Sequence, residues 1–172
     1  MQHVIGRASI RRTGPVGFPA SVFALDDGTS QGRVLARLGR DGWFRVFLAR
    51  GQKVELPDGT SWRITAVAAG PYIEPVVSAE TGKLAIGSPY GKRSYHINGR
   101  DYAYNLYPSS VSGARKRSWT LREHETHMAV LDPSSMDADY PVPLAAALLC
   151  FTLIRHGVPG EAHLGVPEFR WA

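Results

Sequence analysis

The chain has 172 residues, of which 44% are hydrophobic and 20% are charged, and its formal net charge is +5. This composition is typical of a globular protein and excludes a disordered chain, and the length suits one ordinary domain. The excess of basic residues favours an anionic partner, such as a lipid headgroup or a nucleic acid.

The first 19 residues are predicted to form a loose N-terminal arm. The sequence RRTGPVGFP at 11–19 contains glycines and prolines that interrupt regular structure, and no continuous apolar stretch precedes it. We therefore expect no signal peptide. The folded part is expected to be a single domain that covers residues 20–172.

From residue 21 to residue 131 the sequence predicts short strands separated by tight turns. Asp-Gly, Thr-Gly or Asn-Gly pairs stand at 27–28, 41–42, 58–59, 81–82 and 98–99. Such pairs suit the positive-φ positions of hairpin turns. The predicted strands are 21–25, 33–38, 43–49, 61–67, 83–87, 95–97, 101–107, 118–123 and 127–131. In DYAYNLY the residues Tyr102, Tyr104 and Leu106 share one face. This alternation with a period of two residues indicates an antiparallel sheet with one face exposed to solvent.

The last predicted element is a helix near residues 143–156. A polar, proline-rich connection at 132–143 leads into it, and the thirteen residues 142–154 carry no charge. Pro143 suits the first turn of a helix, and Gly157 suits the position after its end. Apolar side chains cover the whole circumference, so the helix is enclosed by protein, inserted in a membrane or buried in a dimer interface. Thirteen residues reach only about 20 Å, which is short for a bilayer, so we expect enclosure by protein.

Short strands followed by one helix that is apolar all round resemble the tubby C-terminal-like superfamily, which includes the LURP-one-related proteins and the phospholipid scramblases. The resemblance covers roughly residues 20–172 and rests on the turn pairs, on DPSSMDADYPVP at 132–143 and on PLAAALLCFTLI at 143–154. It implies an all-β fold in which a closed antiparallel barrel of about a dozen strands surrounds one buried hydrophobic C-terminal helix. It also implies a non-enzymatic domain that binds membranes or phosphoinositides, or acts as a scaffold. It transfers no individual site residue, since no phosphoinositide-binding set aligns.

Two segments that combine basic and aromatic residues form the candidate site for an anionic ligand. They are YGKRSYHINGR at 90–100 and SGARKRSW at 112–119, and the candidate residues are Lys92, Arg93, Arg100, Arg115, Lys116, Arg117 and Trp119. Guanidinium groups fit phosphate oxygens, and nearby aromatic rings lie at headgroup boundaries or stack on bases. We expect an anionic lipid surface. Nucleic acid, a protein partner and a solvated loop that only aids solubility are the alternatives.

Three further motifs do not predict a catalytic or metal site. REHETHM at 122–128 spaces His124 and His127 three residues apart instead of four, and it indicates a solvated strand edge. GSPYGKRS at 87–94 lacks the spacing of a phosphate-binding loop and indicates a turn between strands. The only cysteine, Cys150, lies in the apolar helix, where burial raises the pKa of a thiol. We therefore expect no catalytic residue, no metal and no cofactor.

The sequence predicts a non-enzymatic binding or scaffold domain. A single cysteine fits a reducing compartment, so we expect a cytoplasmic protein that lies at the membrane periphery when it binds anionic lipid headgroups. Two alternatives stay open, an enzyme with an unrecognised surface cleft and a structural subunit of a larger assembly. A cleft with converging polar groups would favour the enzyme, whereas a barrel filled by its helix would leave no internal cavity for a small substrate.

Overall fold

Twelve strands and one helix make up the part of the chain that the structure describes. The computed structural model describes residues 2–13, 21–26, 32–39, 51–69, 72–91, 93–109 and 118–156. The strands are β1 (His3–Arg12), β2 (Ser21–Leu25), β3 (Arg33–Leu38), β4 (Gln52–Glu55), β5 (Ser61–Ala69), β6 (Tyr72–Ala79), β7 (Gly82–Gly91), β8 (Ser94–Asn98), β9 (Ala103–Pro108), β10 (Trp119–Glu123), β11 (Thr126–Leu131) and β12 (Ser135–Pro143). The helix is α1 (Leu144–His156).

These twelve strands close into a barrel. Each strand pairs with its neighbours in the chain, and β12 returns to pair with β1. In the closing pair, Ser9 lies opposite Ser135 and His3 lies opposite Pro143, so the two strands are antiparallel. Closure leaves none of the described strands with a free edge for another chain to pair with. The expected all-β closed barrel around one C-terminal helix is confirmed.

The first strand corrects the expected N-terminal arm at 1–19. β1 pairs with β2 on one side and with β12 on the other, and its Val4, Ala8 and Ile10 are buried. The barrel therefore begins at residue 3 and not at residue 20. The strand was missed because small and basic residues interrupt its apolar positions, so its alternation is weak in the sequence.

The last strand corrects the expected polar connection at 132–143. Residues 135–143 form β12, in which Met136 and Val142 are buried while Asp137 is exposed. Only the three residues before it form a turn. Of the prolines that suggested a linker, Pro133 lies in this turn, whereas Pro141 and Pro143 lie near the end of the strand, and α1 starts at the residue after Pro143. Helix and barrel wall are thus joined without a spacer.

The other predicted strands mostly agree with the structure. Eight of them correspond to β2, β3, β5 and β7–β11, whereas 43–49 lies outside the described residues. β4 was missed because it has four residues, and β6 because Pro75 interrupts its apolar run. The predicted shared face in β9 is present, since Tyr104 and Leu106 are buried and the ring of Tyr102 stacks on that of Tyr104 with centroids 5.1 Å apart. Burial raises the pKa of Tyr104 to about 12, so its phenol stays neutral.

The helix fills the lumen of the barrel. Every residue from Leu144 to Leu153 is buried, including Thr152, whose Oγ1 donates a hydrogen bond to the Leu148 carbonyl oxygen at 2.9 Å. The Leu144 N–H donates to the Gln2 carbonyl oxygen at 2.9 Å, where the helix begins. The expected enclosure by protein is confirmed. Among the described residues, no helix has the length and hydropathy needed to cross a bilayer.

Close packing joins the helix to the wall. The ring of Phe151 meets that of Phe23 in β2 edge to face, with centroids 5.3 Å apart. At Gly87 in β7 the helix lies so near that a Cβ atom would stand 2.9 Å from Leu153 Cδ1. Cys150 packs in this interior as a small hydrophobic residue, and burial raises the pKa of its thiol, as expected from the sequence.

A charge in the lumen tests this packing. We expect Leu148→Asp to lower the free energy of unfolding by more than about 4 kcal/mol, because the carboxylate would be buried without a partner. Urea unfolding followed by circular dichroism measures the change. Val130→Asp is the matched control, since Val130 lies on the outer wall and is 41% exposed. Equal unfolding midpoints for the two variants would show that α1 is not enclosed.

The close approach at Gly87 gives a second expectation. Gly87→Val should cost about 1–3 kcal/mol, because the added methyl groups must displace Leu153 inside a packed interior. Gly91→Val, later in the same strand, serves as control, since the nearest atom to its Cβ would be Ser94 Cβ at 3.7 Å. Thermal unfolding of both variants makes the comparison. A Gly87→Val protein as stable as Gly91→Val would contradict the described contact.

Candidate functional site

Polar side chains that are free to meet a ligand lie at the two ends of the barrel and on its outer wall, because α1 occupies the lumen. We call the end at which α1 begins the proximal end and the end at which it finishes the distal end. Consecutive connections in an up-and-down barrel alternate between the ends. The distal end therefore holds the β7–β8 and β11–β12 turns, and the proximal end holds the β4–β5, β6–β7, β8–β9 and β10–β11 turns.

The two predicted basic segments meet the described structure at the distal end. Arg93 lies there in the β7–β8 turn, with a positive φ of 57°. Lys92, Arg115, Lys116 and Arg117 lie outside the described residues. The residues that flank 110–117 are at the distal end too, where the Ser109 N–H donates to the Ser118 carbonyl oxygen at 2.9 Å. Since β8 and β9 are neighbours, strand pairing brings the flanks of both segments side by side.

Arg100 does not belong to this group. It is exposed in the β8–β9 turn at the proximal end, so the whole of β8 separates it from Arg93. Arg93 and Arg100 are only seven residues apart in the sequence, but the complete strand β8 lies between them. The sequence prediction that placed Arg100 beside Arg93 is therefore wrong.

Trp119 also departs from the prediction. It is only 6% exposed in the core at the start of β10, between Pro108 of β9 and Leu131 of β11. Its indole Nε1 is buried and has no hydrogen-bond partner among the described residues. A ring in this position packs inside the barrel and does not lie at a headgroup boundary. The sequence could not show this, because it did not determine which face of β10 points inward.

Acidic and basic residues are distributed unequally between the two ends of the described barrel. The described proximal turns carry five acidic residues and one arginine (Asp26, Asp58, Glu80, Asp101, Glu125 and Arg100), and the strand ends beside them add Glu55, Glu123 and Arg33. At the distal end, the described turns carry Arg93 and Asp132, with Arg12 at the end of β1 and Arg155 at the end of α1. Arg155 Nε donates to the Pro133 carbonyl oxygen at 2.7 Å, which fixes the end of the helix to the β11–β12 turn. The described structure is thus basic at its distal end and acidic at its proximal end.

Asp132, the one acidic residue in the described distal turns, accepts hydrogen bonds from within its own turn. The Asp132 carboxylate accepts hydrogen bonds from the backbone N–H of Ser134 at 2.6 Å and of Ser135 at 2.7 Å, and from both serine hydroxyls at 2.8 and 2.7 Å. Partial burial raises the pKa of Asp132, but the hydrogen bonds from Ser135 and Ser134 outweigh it and hold the pKa below the usual value. The carboxylate stays ionised, and its oxygens point into the turn.

The histidine motif at 122–128 forms the β10–β11 hairpin. His124 lies exposed in the turn with a positive φ of 51°, while His127 Nδ1 lies 2.9 Å from Asp139 Oδ2 on the neighbouring β12. Across the described ranges, no three His, Cys, Asp or Glu side chains are grouped closely enough to hold a metal ion. The GSPYGKRS motif forms the end of β7 and its turn into β8, as the sequence indicated.

Cavities lie at the proximal end and on the outer wall. The largest of those described has a volume of about 680 Å³ and opens between the β4–β5 and β6–β7 turns, with Asp58 and Glu80 among its lining residues. Two others, of about 550 and 220 Å³, lie over β3 and β4 near Arg37, Lys53 and Glu55. The described lining of these three cavities includes no histidine and no cysteine. Sequence reasoning missed the proximal acidic residues, although their presence in every second turn was a usable signal.

Comparison of the chain with family models, with curated proteins and with solved structures gave no match. Functional inference therefore rests on the residues and on their placement in the barrel. The observation with the clearest chemical consequence is the separation of charge between the two ends.

The Asp132 turn predicts a pH dependence of stability. Because the folded-state pKa of Asp132 is below the unfolded value of about 3.9, its stabilising effect is complete above that value and is lost as the pH falls through the folded pKa. Unfolding midpoints in urea measured between pH 7 and pH 2.5 should fall less steeply for Ser135→Ala, which removes a hydroxyl donor. An identical pH profile for wild type and Ser135→Ala would contradict this role.

Proposed function

We propose that the barrel is a non-enzymatic binding or scaffold domain that attaches to an anionic membrane surface by its distal end. The separation of charge between the two ends carries this proposal. A molecule with one basic and one acidic end orients in the field of an anionic leaflet, so that the basic end approaches and the acidic end points away. Each basic residue near such a surface contributes roughly 1 kcal/mol.

The connections between distal strand ends are rich in basic residues in the sequence. The connections from β3 to β4, from β7 to β8 and from β9 to β10 all join strands at that end. Outside the described residues they contain Arg40, Arg45, Arg50, Lys92, Arg115, Lys116 and Arg117, against one acidic residue, Asp41. Guanidinium and ammonium groups bind phosphate oxygens, which makes lipid phosphates the ligand that this composition favours.

The filled lumen supports a binding role rather than catalysis. Many barrels that act on small molecules hold them in the lumen, whereas here the buried side chains of α1 occupy the interior from Leu144 to Leu153. The proposed interaction needs only an exposed basic surface on a rigid support. A closed barrel with an internal helix is such a support.

The resemblance to the tubby C-terminal-like superfamily stays a prediction and agrees with this proposal. A closed barrel and a lumenal helix are the features of the fold that the resemblance implied. Peripheral attachment to the cytoplasmic face of a membrane, where anionic lipids are abundant, is the corresponding proposal for localisation.

Co-sedimentation with liposomes tests the proposal. We expect binding to vesicles that contain anionic lipid and not to neutral vesicles, with a loss of affinity of about fivefold for Arg12→Gln, which removes an exposed charge, and a larger loss for Arg115→Ala/Lys116→Ala/Arg117→Ala. Binding should weaken as salt rises, because the Debye length is about 8 Å at physiological ionic strength. Neutral and anionic vesicles that bind equally would refute the proposal.

Arg100→Gln is the matched control, because Arg100 is an exposed arginine at the proximal end. It should leave membrane binding unchanged. A gel shift with duplex DNA, run with the same variants, separates lipid from nucleic acid. Tight DNA binding without vesicle binding would replace the membrane proposal with a nucleic-acid one.

A further inference from the structure

The proximal cavity is large enough for a small organic molecule. Its volume of about 680 Å³ lies within the range of about 300–1,000 Å³ that is usual for ligand pockets. The β4–β5 turn forms one side and the β6–β7 turn the other, and Ala145 in the first turn of α1 contributes to its lining. The cavity therefore opens to solvent between two turns, and the fully buried Ala145 lies beneath its floor.

Its chemistry changes from the rim to the floor. Asp58, Thr60, Glu80 and Thr81 are exposed turn residues, so they supply two carboxylates and two hydroxyls at the rim. Trp62, only 8% exposed, and the buried Ala145 line the inner part, where a small part of the indole is accessible. An acidic rim above an aromatic, apolar floor suits a molecule that has a positive charge at one end and a hydrophobic body.

The charges of the lining favour a cation over an anion. Among the described residues that line the cavity there is no lysine, arginine or histidine, so Asp58 and Glu80 are its only charged lining residues. A hydrogen bond from the Thr60 N–H to Asp58 Oδ1, at 2.9 Å, lowers the pKa of Asp58, which stays ionised.

The start of the helix determines the orientation of the ligand. The N-terminus of α1 carries partial positive charge and would repel a cationic group placed on the floor. Carboxylates at the rim attract that group, and the apolar floor, to which Trp62 contributes its small exposed part, accepts the hydrophobic body. The charged group therefore belongs at the rim and the hydrophobic body at the floor.

We propose that the proximal cavity binds small organic cations, namely ammonium groups on an aromatic or aliphatic body, with Asp58 and Glu80 at the charge and Trp62 beneath the body. This site lies at the end of the barrel opposite to the proposed membrane contact. It does not depend on the membrane proposal, so either can fail alone.

Calorimetry and saturation-transfer NMR on the full chain test it with three matched probes, 2-phenylethylamine, 2-phenylethanol and 3-phenylpropionate. We expect the amine to bind best and the carboxylate worst. Asp58→Asn and Glu80→Gln should each weaken the amine about three- to fivefold and leave the alcohol unchanged. Asp58→Asn keeps an oxygen that accepts the Thr60 N–H, so the turn is retained.

Two more variants make the result decisive. Glu125→Gln removes a proximal carboxylate that does not line the cavity, and it should leave amine binding unchanged. Thr81→Trp places a large ring at the rim and should abolish binding of both the amine and the alcohol. Both residues are exposed, so the variants should unfold at the wild-type temperature.

Several results would overturn the proposal. Equal affinity for amine and alcohol would show a purely apolar cavity, and tighter binding of the carboxylate would show that the helix N-terminus dominates. Equal losses for Glu125→Gln and Glu80→Gln would show attraction to the acidic end as a whole. No detectable binding of any of the three probes would remove the site.

Discussion

An α-helix that is apolar on every side must be covered on every side, and the architecture of this protein follows from that requirement. One sheet packed against α1 would leave half of the helix in water. A sheet that closes on itself covers the whole circumference, as the burial from Leu144 to Leu153 shows. Closure also dictates details of the wall, such as a glycine at position 87, where the helix approaches β7. Because the interior is occupied, the chemistry that remains available is confined to the two ends and the outer wall.

The elements that could be predicted from the sequence are those whose local pattern is strong. α1 stands out because no charge interrupts it, and β9 because Tyr102, Tyr104 and Leu106 alternate with outward-facing residues. β1, β6 and β12 could not be predicted, since small residues, basic residues and prolines conceal their alternation. They are held in place by pairing with strands on both sides, as in the pairing of β1 with β12, and pairing between distant segments has no signature within a short window.

The residues of the candidate sites also could not be grouped from the sequence, because closeness along the chain does not give closeness in the barrel. Lys92, Arg93 and Arg100 look like one cluster in the sequence, yet a single strand carries Arg100 to the opposite end of the barrel. Asp58 and Glu80 look unrelated, yet they line one cavity because two strands, β5 and β6, lie between them and return the chain to the same end. Residue type could be read from the sequence, whereas membership of a site depended on counting strands. The inward position of Trp119 likewise depended on the phase of β10, which only its pairing with both neighbours determines.

The order of the elements along the chain has a consequence for biosynthesis. The ribosome makes the twelve described strands first and the helix that fills them last, and β1 must wait for β12 before the barrel can close. Until then the inward faces of the nascent strands have no core to pack against. Pairings between segments so far apart are typical of slow folding. The barrel and its lumenal helix are therefore expected to assemble in one late, cooperative step after translation of α1. Until then the exposed inward faces make the nascent strands prone to aggregation.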